Sequence, residues 1–127
     1  MPPGPPSPAA TVLLLLAAPA AALATPADRL VDVPIEASTY DLLDGAQLSE
    51  VVTRTAFANL DLVPSRPDLA GAAVELAQRS DGESYLSQAL AGARAEYEFV
   101  FMDSPPSLGP LTVNALAAAD QVLVPVQ

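Results

Sequence analysis

Asp103 is the residue in this sequence whose surroundings most resemble chemistry. It follows Phe99-Val100-Phe101-Met102, an apolar run without alternation. Such a run reads as a strand buried on both faces, as in a parallel sheet. In open α/β sheets ligands bind just outside the carboxyl ends of the strands. An aspartate there can hold magnesium, usually through a water, while the metal bridges nucleotide phosphates. Many strands end in aspartate simply because it caps a turn, so the pattern alone leaves both readings open. Ser104 and Ser107 follow closely, but no base lies near them in sequence to make either a nucleophile. Asp61 with Asp68, and Asp81 with Glu83, read as helix caps and solvated turns rather than carboxylate pairs. Asn114, on an Ala/Leu-rich stretch, reads as a packing or capping residue.

Composition excludes several classes of chemistry. The 127 residues contain neither cysteine nor histidine. Disulfides, thiolate zinc sites, Cys nucleophiles and a Ser-His-Asp triad are therefore ruled out. Lysine is absent as well, since the five basic residues are Arg29, Arg54, Arg66, Arg79 and Arg94. A Walker A loop needs a lysine for the β- and γ-phosphates and glycines that let backbone N–H groups approach them. Gly4, Gly45, Gly71, Gly82, Gly92 and Gly109 include no pair at the spacing of G-x-x-x-x-G-K-S/T. Fifteen acidic residues give a formal net charge of −10, and the arginines are scattered. Direct nucleic-acid binding is not expected of such a chain, because phosphate neutralisation supplies most of that affinity.

The elements that must position Asp103 are legible from about Ser38 onward. Ser38 and Thr39 cap a short helix through Leu43, stopped near Asp44-Gly45. Leu48–Arg54 reads as another short helix and Leu60–Val63 as a strand ended by Pro64. Asp68 caps a helix through about Gln78, with Leu69, Ala72, Ala73 and Leu76 at helical spacing. After a turn at Ser80-Asp81-Gly82, a helix is predicted over Ser84–Glu96. The prolines of Ser104-Pro105-Pro106-Ser107 forbid a ladder, Leu108–Ala119 is helical, and Val122-Leu123-Val124 is a second buried strand. Strand, helix and strand here make a βαβ unit.

Residues 1–34 differ in character: seven of the 14 prolines fall in the first 26 residues. An apolar run from Ala9 to Ala24 has three readings. As a signal peptide, Val12–Ala18 is its core and Ala22-Leu23-Ala24 its cleavage site, though no Lys or Arg precedes it. As a transmembrane helix it is short and broken by Pro19. The third reading is a segment foreign to the fold, such as a wrong start or a shifted frame. The expected division is a Pro/Ala-rich leader over 1–34, disordered or outside the fold, and a domain over 35–127.

The wider neighbourhood of Asp103 resembles one family. Glu96-Tyr97-Glu98-Phe99-Val100-Phe101-Met102-Asp103-Ser104-Pro105-Pro106-Ser107-Leu108-Gly109 is similar to the Walker B region of ParA/Soj-type partition ATPases, with its D-x-P-P-S-L-G. The likeness continues through Leu111-Thr112-Val113-Asn114-Ala115-Leu116 to Val122-Leu123-Val124-Pro125-Val126-Gln127. Upstream, Ser38-Thr39-Tyr40-Asp41-Leu42-Leu43, Asn59-Leu60-Asp61-Leu62-Val63-Pro64-Ser65 and Asp68-Leu69-Ala70-Gly71-Ala72 resemble other family segments.

The resemblance implies an α/β fold, a partial P-loop NTPase-like domain with a parallel sheet and flanking helices. It implies ATP and magnesium as family cofactors, with Asp103 as the metal-side carboxylate. Homodimers, a ParB-like partner and a cytoplasmic location are implied for the family, with no membrane association. The departures are as informative. The K-G-G-x-G-K-S/T loop expected before Ser38 is missing, as is D-x-D-P-Q, for which Asp32-Val33-Pro34 is a poor substitute. Ala73 stands where the family commonly has Glu. The expectation is a truncated family member that neither binds nor hydrolyses ATP alone. The rivals are a non-enzymatic fragment docking to a full-length relative or a ParB-like partner, and an exported small domain. Phe99–Met102 is expected to lie at an unpaired sheet edge.

Overall fold

The computed structural model describes residues 11–15 and 36–126. Strand β1 (Thr11–Leu15) is followed by helices α1 (Thr39–Leu43) and α2 (Leu48–Val51), then strands β2 (Thr53–Arg54) and β3 (Leu60–Val63). Helices α3 (Leu69–Gln78) and α4 (Tyr85–Ala89), a 3-10 turn at Ala93–Ala95, strand β4 (Phe99–Asp103) and helix α5 (Pro110–Ala118) complete the order. The four strands form one mixed sheet in the order β2-β3-β1-β4. The pairs β1–β3 and β1–β4 are parallel, while β2 pairs antiparallel with β3. This is the α/β sheet with flanking helices that the sequence predicts, with one short antiparallel strand added at an edge.

Local chemistry accounts for each element. Ser38 starts α1 through a reciprocal cap: its Oγ accepts from the Tyr40 N–H at 3.2 Å and its own N–H donates to Asp41 Oδ2 at 2.8 Å. Gly45, at φ +111°, then turns the chain in the left-handed region. Thr39 docks the helix onto the sheet, donating its N–H (2.8 Å) and its hydroxyl (3.2 Å) to the Pro64 carbonyl after β3. Between β2 and β3, Asn59 takes the left-handed conformation at φ 62°, which Asn tolerates better than most residues. Its carbonyl accepts from the Thr11 N–H at 2.8 Å, so the turn also starts the ladder to β1.

The core lies between one face of the sheet and the helices. Val12 and Val63 contribute from the strands, Leu42, Leu43, Leu48 and Val51 from α1 and α2, and Leu69, Ala72 and Leu76 from α3. Leu86, Ala93, Leu111 and Ala115 close it, with Val100 and Met102 of β4 packed against its margin. The helical spacing read from α3 is the spacing that is buried, with Ala73 at its half-buried border.

Four expectations need correction. Thr11–Leu15 is the inner strand of the sheet, although composition sets residues 1–34 apart from the fold; a short apolar run cannot declare its own partners. The rest of the leader readings fall outside the described residues. The helix expected over Leu48–Arg54 ends at Val51, because Val52 turns extended and Thr53 and Arg54 pair with Leu62 and Asp61. The helix over Ser84–Glu96 is two short pieces, parted around Gly92, whose lack of a side chain weakens a helix interior. Val122-Leu123-Val124 forms no strand and is exposed, so the βαβ unit has only its first strand and helix.

Candidate functional site around Asp103

Asp103 is the last residue of β4, in register with Leu15 of β1, at the carboxyl end shared by the three parallel strands. Alternation along β4 turns Val100 and Met102 toward the helices and Phe99, Phe101 and Asp103 to the opposite face. That face is open. Phe99 and Phe101 are each 52% exposed, their rings stacked with centroids 6.2 Å apart, and Asp103 is exposed beside them. The expectation that Phe99–Met102 is buried on both faces is therefore corrected. As the outermost strand, β4 has one neighbouring strand and, among the described residues, helices on one side only. Its predicted place at the sheet edge is the place it occupies.

The loop after Asp103 is held at two points. The Pro105 carbonyl accepts from the Ser107 N–H at 2.8 Å and from the Thr112 hydroxyl at 3.3 Å, fastening the loop to the first turn of α5. Gly109 precedes that helix and Pro110 opens it, where a missing N–H costs nothing. One turn on, Asn114 is fully buried. Its Nδ2 donates to the carbonyls of Pro110 at 2.9 Å and Gly82 at 2.6 Å, and its Oδ1 accepts from the Leu86 N–H at 3.1 Å. It is the packing and capping residue anticipated from sequence, and it ties α5 to the turn before α4. Gly82 itself admits no side chain, since a Cβ there would stand 2.0 Å from the Leu76 carbonyl oxygen.

Other sequence candidates separate. Asp61 accepts the Tyr97 hydroxyl at 2.8 Å, whereas Asp68 precedes α3 without capping it through its side chain. Burial, then the hydrogen bond to Asp61 and its charge, push the Tyr97 phenol well above its ordinary pKa. This link was not anticipated; the Tyr-x-apolar pattern before β4 gave no sign of a partner two strands away. Asp81 accepts from the Tyr85 hydroxyl at 3.4 Å across the turn that leads into α4. Ser104 and Ser107 have no histidine to activate them, and Arg94 is paired with Asp120 at 2.6 Å on the surface. Among the described residues, no group of three or more acidic side chains could hold a metal ion. Asp103 is thus a single carboxylate, and magnesium needs phosphate and water oxygens besides one or two carboxylates. The described residues do not by themselves build a magnesium site.

Comparisons with known proteins agree with this geometry. The AAA domain family matches residues 11–127, a span that takes in β1. The chain is 46% identical over 91 residues to the chromosome-partitioning ATPase Soj of Treponema pallidum, covering 71% of this chain and 36% of that protein. It is 48% identical over 86 residues to the chromosome partitioning protein ParA of Myxococcus xanthus, covering 68% and 30%. The chain thus spans about a third of the length of these curated relatives. Cobyrinic acid a,c-diamide synthase from Mycobacterium smegmatis, solved with a bound ATP analogue and magnesium, superposes with a TM-score of 0.74. That match has 34% identity and covers 88% of this chain and 45% of the synthase. A plasmid partition protein from Borrelia burgdorferi bound to AMPPNP shares the fold alone, with a TM-score of 0.69 at 19% identity over 87% of this chain and 47% of that one. Carried by a match that runs from its inner strand to its last residue, the chain belongs to the AAA domain family, among the ParA/Soj-type partitioning ATPases.

Proposed function

We propose that this chain is the magnesium-aspartate part of a ParA/Soj-type partitioning ATPase and that, alone, it neither binds nor hydrolyses ATP. One observation carries the reading: Asp103 stands exposed at the carboxyl end of β4, on a sheet whose relatives bind nucleotide, in a chain with no lysine for a phosphate loop. In a complete assembly Asp103 is the position that would face magnesium. Phosphoryl transfer rests on positioning and charge stabilisation, and most of both comes from the phosphate loop.

The position of β1 supports the same view. The residues after it read Leu16-Ala17-Ala18-Pro19-Ala20. They keep the proline of D-x-D-P-Q after an apolar strand, but carry Leu16, Ala18 and Ala20 where that pattern has its two aspartates and its glutamine. Set against that pattern, the two carboxylates and the amide are absent from the positions that follow β1. The exported alternative fits less well, because cleavage after Ala24 would remove β1 from the centre of the sheet.

Homodimerisation, a ParB-like partner and a cytoplasmic site of action belong to this proposal; no helix among the described residues is long and apolar enough to cross a membrane. A second reading, a non-enzymatic fragment that docks to a full-length relative, is favoured by one feature, the open edge and exposed phenylalanines of β4.

The test is calorimetric titration of the 127-residue chain with ATP and magnesium, with phosphate release followed in parallel. No heat of binding up to millimolar nucleotide, and no difference between the chain and Asp103→Asn, is expected. Magnesium-dependent turnover that Asp103→Asn abolishes would overturn the inactive reading while keeping Asp103 at the metal.

A further inference from the structure

We infer that the cleft between the end of α3, the Gly82 turn and the start of α5 is a docking site for a peptide segment of a partner protein, one that offers a large aliphatic side chain beside an arginine or lysine. The inference concerns docking alone and is independent of whether Asp103 ever meets magnesium.

Size narrows the occupant first. The cleft has about 250 Å³ of free space. A second hollow, between Tyr40 and Arg79, has about 10 Å³, no more than a water needs. Pockets that enclose a drug-sized ligand run to roughly 300–1,000 Å³. The larger cleft therefore suits a side chain or two projecting from a larger partner, and not a whole cofactor.

Its walls are set before anything arrives. Asn114 donates to the Gly82 carbonyl at 2.6 Å and accepts from the Leu86 N–H at 3.1 Å, which holds α5 against the turn. Gly82 packs so closely on the Leu76 carbonyl that no side chain fits between them, which holds the turn against α3. A preformed cleft spares the ordering cost that weakens small interfaces.

The lining then selects by chemistry. Leu76, Pro110 and Val113 make the apolar part, and Leu108, 89% exposed, extends it into solvent. A single exposed leucine needs no explanation, but one that continues an apolar cleft marks a contact surface. Glu83 adds a carboxylate that has no cationic partner among the described residues, and Asp81 is exposed close by. Arg79 is the one cation in the lining, and its guanidinium already lies 5.0 Å from the centre of the Tyr85 ring. An aliphatic side chain thus finds the apolar part, and a cation next to it finds Glu83. Nucleic acid and acidic peptides meet the net charge of −10 as repulsion. Burial of the aliphatic group supplies the affinity, and charge supplies the choice of partner. Leu108 belongs to the loop that leaves Asp103, so an occupant seated on it touches that loop.

The test is an NMR titration of the full isotope-labelled chain with two blocked tetrapeptides, Arg-Leu-Leu-Arg and Glu-Leu-Leu-Glu. Saturable shifts are expected at the amides of Gly82, Glu83, Leu108 and Val113. The basic peptide should bind at least about fivefold tighter at low salt, and the preference should shrink as salt is added. Glu83→Lys, at an exposed turn, should erase the preference. Ala77→Trp, at an exposed position of the lining, should fill the cleft and weaken both peptides. If Ala77→Trp disturbs the resonances of β1 and β3, Glu83→Lys decides alone. Equal affinity for the two peptides, no saturable shift at the cleft amides, or shifts confined to Phe99–Asp103 would each overturn the proposal. So would binding that an intact Ala77→Trp leaves unchanged.

Discussion

Val12 and Val100 face each other across neighbouring strands, yet Val12 is fully buried and Val100 only partly so. Both look toward the same helices. The difference lies in their neighbours: β1 is flanked on both sides, and β4 on one. Phe99 and Phe101 give β4 more apolar surface than Thr11 and Val12 give β1, but that surface lies in solvent. Position in the sheet, more than the hydrophobicity of the run, decides what is removed from water and so what stabilises the fold.

This contrast can be tested by perturbing the interior and the edge in turn. The largest effect is expected from Leu69→Ala, which empties a fully buried position under the helices. It should cost about 3 kcal/mol, read as a lower urea midpoint at unchanged slope. Asn114→Ala should cost about 2 kcal/mol, because the Leu86 N–H and the Gly82 carbonyl lose a buried partner. It should also loosen α4 against α5, visible as faster amide exchange at Leu86. Ser38→Ala removes the cap of α1 and should cost about 1 kcal/mol.

A smaller, pH-gated effect concerns Tyr97. Its pKa is raised in the folded chain, by burial first and then by Asp61. Its contribution to stability is thus complete below the ordinary phenol pKa of about 10 and is lost as pH rises above it. Tyr97→Phe should flatten that alkaline decline in a melting series. A residual slope is expected from Tyr40, raised by its hydrogen bond to Glu75. The smallest effect is expected at the edge. Phe101→Thr should change stability by less than about 0.5 kcal/mol while reducing self-association in sedimentation. A loss as large as that of Leu69→Ala would mean that the β4 face is covered, and the contrast would fail.

Elements that declare themselves locally were legible in the sequence. The Ser38 cap, the spacing of Leu69, Ala72 and Leu76, and the helix read over Leu108–Ala119 were local readings, and each element formed within a few residues of its reading. Asp103 at the end of β4 and the absence of a lysine for phosphate were equally plain. What stayed hidden depends on distant partners. Thr11–Leu15 is a strand because Leu60 and Phe99 receive it, and its Pro/Ala-rich flanks argued otherwise. Val122-Leu123-Val124 has strand-like residues, but β propensity needs a neighbour to express it. The Tyr97–Asp61 bond joins the segment just before β4 to β3, two strands away, which no local pattern announces.

The inner place of β1 also sets an order of assembly. It is the earliest described strand in the chain, yet Thr11 finds one partner at Leu60 and the other at Phe99. As the polypeptide leaves the ribosome, this apolar segment must wait until Leu60, and then Phe99, have been translated before these pairings can form. Contacts so far apart along the chain make for slow folding and a long exposure of sticky surface. A helper that shields nascent chains would therefore find a task at Thr11–Leu15 well before the Asp103 loop has been synthesised.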